Sequence, residues 1–183
     1  MARIDLNTVT QWITPLALRE GERLVPAVME RLAIPRRSAQ ALLARLVAAQ
    51  WLVRGGTLRH PVYRPGMLRQ VVHTYALQGL QEDLPWARDF APCFTLAPNV
   101  ARLAQHAFSE LLNNAVDHSG GTHVTVSLRQ TALHLQLLVS DNGCGVFDRI
   151  AESFEITDAG TAMLELSKGK LTDRKSTRLN SSH

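Results

Sequence analysis

One segment of this chain combines a helical pattern with chemically active side chains: ELLNNAVDHSGG at residues 110–121. It completes a longer apolar-periodic stretch, which predicts a helix over residues 100–118 that is capped by Asn99 and ended by the glycines. Glu110 and Asn114 are four residues apart and therefore project from the same side of that helix. The sequence thus predicts a carboxylate and an amide side by side, next to a buried apolar face.

Alternating apolar and polar residues after this helix predict two strands, at residues 122–128 and 133–139, joined as a hairpin. The second strand runs directly into DNGCG at residues 141–145. Gly143 and Gly145 are separated by one residue, and glycine permits positive φ and close approach of the backbone to a ligand. A loop suited to ligand contact is therefore expected at the end of the hairpin.

Together these segments resemble the GHKL ATPases. This superfamily includes gyrase-type topoisomerases, heat-shock chaperones of the same fold, mismatch-repair ATPases, histidine kinases and anti-sigma-factor serine kinases. Residues 110–118 look like its N box, and Asp141-x-Gly143-x-Gly145 looks like its first glycine box. The second pattern alone is weak, because Asp and Gly are common residues. Its specificity comes from the E-x-x-x-N pattern on a preceding helix, with two strands between them.

The resemblance implies a site for ATP and Mg²⁺. Asp141 would accept a hydrogen bond from the exocyclic amine of adenine, and Gly143 and Gly145 would let the backbone pass beneath the nucleotide. Asn114 would supply an oxygen ligand to Mg²⁺. Glu110 would orient or deprotonate an attacking water or hydroxyl, as a general base does.

Other residues of the N box have two interpretations each. His118 or Asn113 would add a contact to phosphate or metal. Alternatively, Asn113 only forms a local hydrogen bond and His118 only ends the helix. Glu110 serves hydrolysis and phosphotransfer equally well, so an ATPase and an ATP-dependent protein kinase both stay open.

The first part of the chain predicts three helices followed by a hairpin. We expect a helix over residues 7–19 capped by Asn7, a second over residues 24–32, a third capped by Ser38, and a hairpin that turns at residues 55–56. Pro15 is expected to kink or shorten the first helix. This order of elements resembles a winged helix-turn-helix domain, in which the third helix enters the major groove and the hairpin contacts phosphates.

That resemblance assigns a DNA-facing surface to the third helix and the wing. Its residues are Arg36, Arg37, Gln40, Arg45, Arg54 and Arg59. Arginine suits both phosphate contact and bidentate recognition of guanine. A winged helix used for dimerisation or protein contact, with its arginines merely solvated, is the alternative.

The predicted fold class is α+β: a winged helix-turn-helix at residues 1–66, then an incomplete GHKL-type α/β sandwich with helices on one face of a mixed sheet. Residues 67–98 are interpreted as a connector that packs on the ATPase module, with a helix over residues 67–80 and apolar contacts from Trp86, Phe90 and Phe94. The N-terminal part of the ATPase domain is assigned to residues 99–172.

Charge is distributed unevenly along the chain. Residues 1–70 carry eleven arginines and four carboxylates, a net charge of +7, whereas residues 71–172 carry six basic residues and eleven carboxylates, a net charge of −5. A basic part followed by an acidic part is typical of two modules with different partners. A charge asymmetry without functional meaning is the simpler alternative.

Composition excludes secreted, membrane-spanning and disordered classes. Hydrophobic residues make up 45% and charged residues 20% of the chain, as in globular proteins. No apolar run reaches the roughly 18 residues of a membrane helix, and no signal peptide begins the sequence. Two cysteines, Cys93 and Cys144, favour a reducing compartment. We therefore expect a cytoplasmic protein without a membrane partner.

The last eleven residues, DRKSTRLNSSH at residues 173–183, look like a translated sequencing adapter. A natural disordered tail is the alternative. Residues 157–169 predict a helix, and no second glycine box or phosphate-covering lid precedes Thr172. The layout is similar to a bacterial family of uncharacterised ATP-binding proteins, which often carry a C-terminal STAS-like domain. We expect the natural gene to continue, and nucleotide binding by this fragment to be impaired.

Two functions follow from these patterns. The first is a DNA-binding transcription regulator in which a GHKL ATPase module controls a winged-helix module. The second is an anti-sigma-factor-like serine or histidine kinase, with a winged helix that docks to a protein phosphoacceptor or regulatory partner. For a histidine kinase, His73 and His106 are followed by Thr74 and Ala107, so neither resembles a His-Glu acceptor. A homodimer is compatible with both functions.

Overall fold

The computed structural model describes residues 4–81 and 83–143 of the 183-residue chain. The helices are α1 (Leu6–Thr10), α2 (Ile13–Glu20), α3 (Leu24–Leu32), α4 (Arg36–Ala48), the short α5 (Asp83–Pro85) and α6 (Pro98–His118). The strands are β1 (Leu52–Gly56), β2 (Pro61–Pro65), β3 (Arg69–Ala76), β4 (His123–Gln130) and β5 (Leu135–Asp141). A π-helical turn (Trp86–Phe90) and a 3₁₀ turn (Ala91–Cys93) lie between α5 and α6. In this described part of the chain, no helix has the length and apolar character needed to cross a membrane.

Helices α1 to α4 and the β1–β2 hairpin enclose a first apolar core. Its fully buried side chains are Ile13, Leu24, Val28, Leu43, Leu46 and Leu52. The bounds predicted for α3 are confirmed, and Ala33 ends that helix in the left-handed conformation. On α4, the predicted apolar face is buried at Ala39, Leu42 and Leu43, whereas the arginines of the same helix are exposed.

The predicted starts of the first and third helices are late by two and three residues, respectively. Asp5, not Asn7, caps α1, and its Oδ1 accepts the Asn7 backbone N–H at 3.0 Å. Helix α4 begins after the extended Pro35, so Ser38 already lies in its first turn. The single helix predicted over residues 7–19 is two helices, and Pro15 lies in the first turn of α2. Proline is tolerated there because no intrahelical N–H bond is lost.

The first hairpin is confirmed, but its turn lies later than predicted. Strands β1 and β2 are antiparallel, and Gly56 pairs with Pro61. Gly56 has a φ of 74°, a conformation that glycine adopts without strain. The turn is closed by hydrogen bonds from the Thr57 N–H to the His60 carbonyl (3.1 Å) and from the His60 N–H to Thr57 Oγ1 (3.0 Å). The Thr57 side chain therefore stabilises a turn at residues 57–60, which follow the two glycines.

The helix predicted over residues 67–80 is wrong, because this stretch contains β3. Strand β3 pairs antiparallel with β4, and fully buried Val71 lies opposite Leu128. Val71 and Val72 are β-branched, a side-chain shape that favours strands over helices. The partial helical stripe arose because both faces of β3 carry apolar residues.

A second core lies between α6 and a three-stranded sheet of order β3-β4-β5. Phe90 and Phe108 are fully buried, with ring centroids 5.0 Å apart, and Trp86 packs edge-on against Phe108. The predicted β4–β5 hairpin is confirmed, with strand bounds shifted by up to two residues. Both strand pairs are antiparallel, so these three strands do not form the predicted mixed sheet. Helix α6 begins at Pro98 after Ala97, so the predicted cap at Asn99 is wrong.

The first two helices cover the outer edge of β3. The Val72 N–H donates to the Gln11 carbonyl at 3.2 Å, and the Gln70 N–H donates to Oγ1 of the fully buried Thr14 at 3.4 Å. An uncovered edge strand exposes unpaired backbone groups. Here the N-terminal helices supply part of the missing partners, so the two cores are joined at β3.

Candidate functional site

Helix α6 presents the predicted N-box residues away from the second core. Ala104, Phe108, Leu112 and Ala115 are its buried side chains. Glu110, Asn114 and His118 are all exposed. Because they are spaced by four residues, they lie along one side of the helix. The predicted grouping of a carboxylate and an amide on one helix side is therefore present and accessible to a ligand.

Asp141 is the last residue of β5, and its side chain is exposed. Its Oδ1 accepts the Gly143 backbone N–H at 3.0 Å. Among the described residues, Oδ2 has no hydrogen-bond partner. The turn therefore orients the carboxylate and leaves one oxygen available to accept a bond from a ligand. A local turn interaction alone is also a common use of an aspartate.

Gly143 has a structural reason to be glycine. A Cβ placed there would collide with the Ser119 carbonyl and lie 2.6 Å from the Gly121 nitrogen. The backbone after β5 thus passes directly against the residues that follow α6. This contact differs from the predicted passage beneath a nucleotide. Gly145, the other predicted glycine, lies outside the described residues.

The contact at Gly143 places Asp141 at the C-terminal end of α6. Asn114 precedes Ser119 by five residues, or about 7.5 Å along the helix axis, and Glu110 lies about 6 Å farther, at 1.5 Å per residue. A ligand that contacts Asp141 and also follows the helix therefore meets Asn114 before Glu110. The order is suited to a ligand with a base at one end and an anionic group at the other.

The two asparagines of the N box differ in their environments. Asn113 Oδ1 is buried and has no hydrogen-bond partner within the described part of the chain. Adjacent residues point about 100° apart around a helix, so Asn113 cannot share the direction of Asn114. The predicted contact of Asn113 with phosphate or metal is therefore not supported by its position. Asn114 is the better-placed amide.

The exposed Asn114 amide suits a magnesium ion that is also bound by phosphate. The Asn114 amide offers an oxygen atom, the donor type that Mg²⁺ prefers, and this ion usually retains water and takes few protein ligands. Across residues 4–81 and 83–143, no group of three or more His, Cys, Asp or Glu side chains could hold a metal ion. A single amide oxygen fits a magnesium ion that is also bound by phosphate.

The predicted DNA-facing residues are all exposed in the N-terminal part. Four lie on α4 (Arg36, Arg37, Gln40, Arg45), Arg54 lies on β1, and Arg59 lies in the turn of the hairpin. In the described part of the chain, the ion pair formed is Arg88–Asp89, at 2.8 Å. The arginines of α4 and the hairpin are therefore not neutralised by described carboxylates.

A separate polar cluster lies beside the second core. The Tyr75 hydroxyl donates to Asp89 Oδ2 at 2.8 Å, and Arg88 donates to both carboxylate oxygens of Asp89. The hydrogen bond from Arg88 holds the pKa of Asp89 below its usual value, against the opposing effect of burial, and Tyr75 adds to the lowering. Burial, followed by the bond to Asp89, raises the pKa of Tyr75.

Two cavities lie near the junction of the two cores. One of about 640 Å³ is bordered by α2, β2 and Arg69. Another of about 360 Å³ is bordered by Gln11 and Trp12, by α2 and β3, and by the turns before α6. Both touch Arg19 and Pro92, at the junction of the two cores. Neither of these two cavities is lined by Glu110, Asn114 or Asp141.

Sequence reasoning missed Asn142. Its Oδ1 accepts the backbone N–H groups of Thr122 and His123, both at 2.9 Å. In the D-x-G-x-G pattern this residue occupies an unspecified position. The available signal was an asparagine between a strand and a glycine, where its side chain commonly bonds nearby backbone.

Residues 99–178 match the family model of the histidine kinase-, DNA gyrase B- and HSP90-like ATPases. The matched range includes α6, β4, β5 and the turn after β5. This part of the chain therefore carries a GHKL-type ATPase domain, which indicates ATP binding. The range also includes six residues of the segment interpreted as translated adapter, and that interpretation stays a prediction. No curated protein and no solved structure matches the chain significantly.

Proposed function

We propose that the full-length protein is an ATP-binding regulator whose ATPase domain controls DNA binding by the N-terminal module. Nucleotide binding is inferred from the position of Asp141 at the C-terminal end of α6. One of its carboxylate oxygens has no hydrogen-bond partner among the described residues. Asn114 and Glu110 are exposed on the same helix. These three side chains supply contacts for a base, a metal-bound phosphate and a reacting water or hydroxyl.

Each residue has a distinct role in this proposal. Asp141 accepts a hydrogen bond from the exocyclic amine of adenine and thereby disfavours guanine, which lacks a donor at that position. Asn114 offers its amide oxygen to Mg²⁺, and the bound ion supplies neutralisation of phosphate charge. Glu110 orients a water or hydroxyl and accepts its proton. His118, exposed one turn after Asn114, is placed to contact phosphate.

The DNA-binding part of the proposal depends on charge and exposure. Arg36, Arg37 and Arg45 project from α4, and Arg54 and Arg59 project from the hairpin. Exposed guanidinium groups without carboxylate partners in the described residues are available to phosphates and to guanine edges. The winged-helix assignment adds that α4 enters the major groove and that the hairpin contacts the backbone.

The junction at β3 gives the two modules a route for coupling. The Val72 N–H of β3 donates to the carbonyl of Gln11, between α1 and α2, and the Gln70 N–H donates to the Thr14 hydroxyl of α2. Arg129 of β4 lies over the Trp51 ring at 5.8 Å. A change in the sheet on nucleotide binding would alter these contacts. The proposal therefore assigns the coupling to displacement of α1 and α2 relative to β3.

The reaction is tested with labelled ATP and the full-length protein. Release of labelled phosphate indicates hydrolysis, whereas label on the protein itself or on a partner indicates a kinase. Glu110→Ala is expected to retain Mg·ATP binding and to slow turnover by about 10²- to 10⁴-fold, the usual contribution of a general base. Loss of nucleotide binding in Glu110→Ala would contradict the assigned role.

A further inference from the structure

Asn142 connects the turn that carries Asp141 to the start of β4. Its Oδ1 accepts two backbone N–H groups, from Thr122 and His123, at 2.9 Å each. Its Nδ2 donates to Thr122 Oγ1 at 3.0 Å, and its own backbone N–H donates to the His123 carbonyl at 3.2 Å. One side chain therefore uses both its acceptor and its donor on two adjacent residues.

The same turn lies tightly against the residues that follow α6. A Cβ added at Gly121 would lie 2.7 Å from Asn142 Oδ1 and 2.7 Å from the Gly143 nitrogen. Ser119, which ends α6, is buried, and the Gly121 N–H donates to its Oγ at 3.1 Å. These contacts form a continuous connection from α6 through residues 119–122 to Asn142.

We propose that Asn142 is a positioning residue for adenine recognition, which fixes the Asp141 carboxylate relative to the Asn114 side of α6. The inference rests on the proposed function. Asp141 Oδ1 is held by the Gly143 N–H, so the direction of Oδ2 depends on where the turn lies. Asn142 is the side chain whose hydrogen bonds determine that position.

The same geometry predicts a small cost in stability. Asn142, Thr122 and His123 are all exposed, so water can replace the lost hydrogen bonds when the Asn142 side chain is removed. The turn then gains freedom while the second core stays packed. Loss of Asn142 should therefore weaken recognition of the base much more than folding or contact with the phosphates.

The test compares three variants of the full-length protein: Asn142→Ala, Asn142→Asp and the control Asn99→Ala. Asn99 is exposed near the start of α6 and makes no side-chain hydrogen bond among the described residues. Asn142→Asp keeps an oxygen for the two N–H groups. Calorimetry measures binding of Mg·ATP, Mg·GTP and magnesium-bound inorganic triphosphate, and hydrogen exchange follows the Thr122 and His123 amides.

In Asn142→Ala, we expect the Kd for ATP to rise by about tenfold or more, because the three side-chain hydrogen bonds that hold the turn are lost. Discrimination between ATP and GTP should fall, triphosphate affinity should stay unchanged, and both amides should exchange faster. Asn142→Asp should restore ATP affinity to within about threefold of wild type, on the same scale of about 1.4 kcal/mol per factor of ten. Asn99→Ala should behave as wild type.

Two results would overturn the role of Asn142. One is wild-type ATP affinity and selectivity in Asn142→Ala. The other is an equal loss of ATP and triphosphate binding with a lowered melting temperature, which indicates a structural role alone. Failure of the wild-type protein to bind ATP would instead refute the proposed function, so the two failures are distinguishable.

Discussion

The two candidate binding regions are constructed differently. The turn at residues 141–143 is held by several hydrogen bonds and by close backbone contact with residues 119–121. The arginines of α4 and the β1–β2 hairpin are exposed and form no ion pair within the described residues. A fixed turn suits recognition of one small ligand by shape, whereas long exposed basic side chains suit a charged polymer. Ligand binding by the first region should therefore depend on geometry, and binding by the second should depend on charge.

The strongest test of this difference is the substitution of a glycine in each region. Gly143→Ala should abolish nucleotide binding and lower the free energy of unfolding by about 1–3 kcal/mol, because its Cβ collides with the Ser119 carbonyl. In Gly55→Ala, the added Cβ meets only the Val62 carbonyl at 3.9 Å. This control should fold and bind as wild type. Chemical denaturation and calorimetry measure both quantities, and equal effects at the two glycines would remove the distinction.

The next largest effect concerns the base. Asp141→Asn removes a charged acceptor but preserves the shape of the turn, since the amide oxygen can still accept the Gly143 N–H. Loss of the charge-assisted hydrogen bond should cost about 1.5–3 kcal/mol of ATP affinity, which is tenfold to about a hundredfold in Kd. Calorimetry with Mg·ATP measures this cost. An unchanged affinity of Asp141→Asn for ATP would contradict the role of Asp141 in adenine recognition.

The charged region should respond to salt instead of geometry. Each phosphate contact contributes roughly 0.9 to the slope of log affinity against log salt. Arg54→Ala should reduce that slope by about 0.9, the contribution of one phosphate contact, and weaken binding to all duplexes alike. Arg37→Ala on α4 should also relax sequence preference. Salt titrations on specific and random duplexes separate the two variants. Absence of binding at low salt would assign this surface to protein contact.

A smaller effect is expected at Asp89, which belongs to neither region. The pKa of Asp89 is lowered in the folded protein, so its stabilising contribution is present above the unfolded pKa and is lost as pH falls through the folded value. Tyr75→Phe removes the hydroxyl that donates to Asp89 at 2.8 Å and should cost about 0.5–1.5 kcal/mol near neutral pH. Denaturation at neutral and acidic pH should show this difference shrinking in acid. A constant difference would contradict the coupling.

The periodicity of apolar residues predicted the helices and strands that bury one of their faces. The β4–β5 hairpin and most of α6 follow from alternating or helically spaced apolar residues, whose buried members are Val124, Val126, Leu128, Phe108 and Leu112. Strand β3 was missed because α1 and α2 cover its edge and apolar residues occur on both of its faces. Such tertiary cover leaves no regular pattern in the sequence.

Site residues could be predicted where the type and spacing of side chains indicate the chemistry. They could not be predicted where their role depends on contact with the backbone of distant residues. Glu110, Asn114 and Asp141 could be selected because their types and spacing carry the chemistry. Asn142 could not, because its role depends on Thr122 and His123, which are near it only after β4 and β5 pair. Gly143 was selected for a ligand, while its visible constraint is the Ser119 carbonyl.

Magnesium-dependent ATP binding is measured by titrating the full-length protein with ATP in the presence and absence of Mg²⁺, alongside Asn114→Ala. The wild type should bind ATP saturably and more tightly with Mg²⁺, and Asn114→Ala should lose the magnesium-dependent part because its amide oxygen is the proposed ligand. ATP binding that does not depend on Mg²⁺, or that is equal in the wild type and Asn114→Ala, would contradict a magnesium-dependent nucleotide site at Asn114.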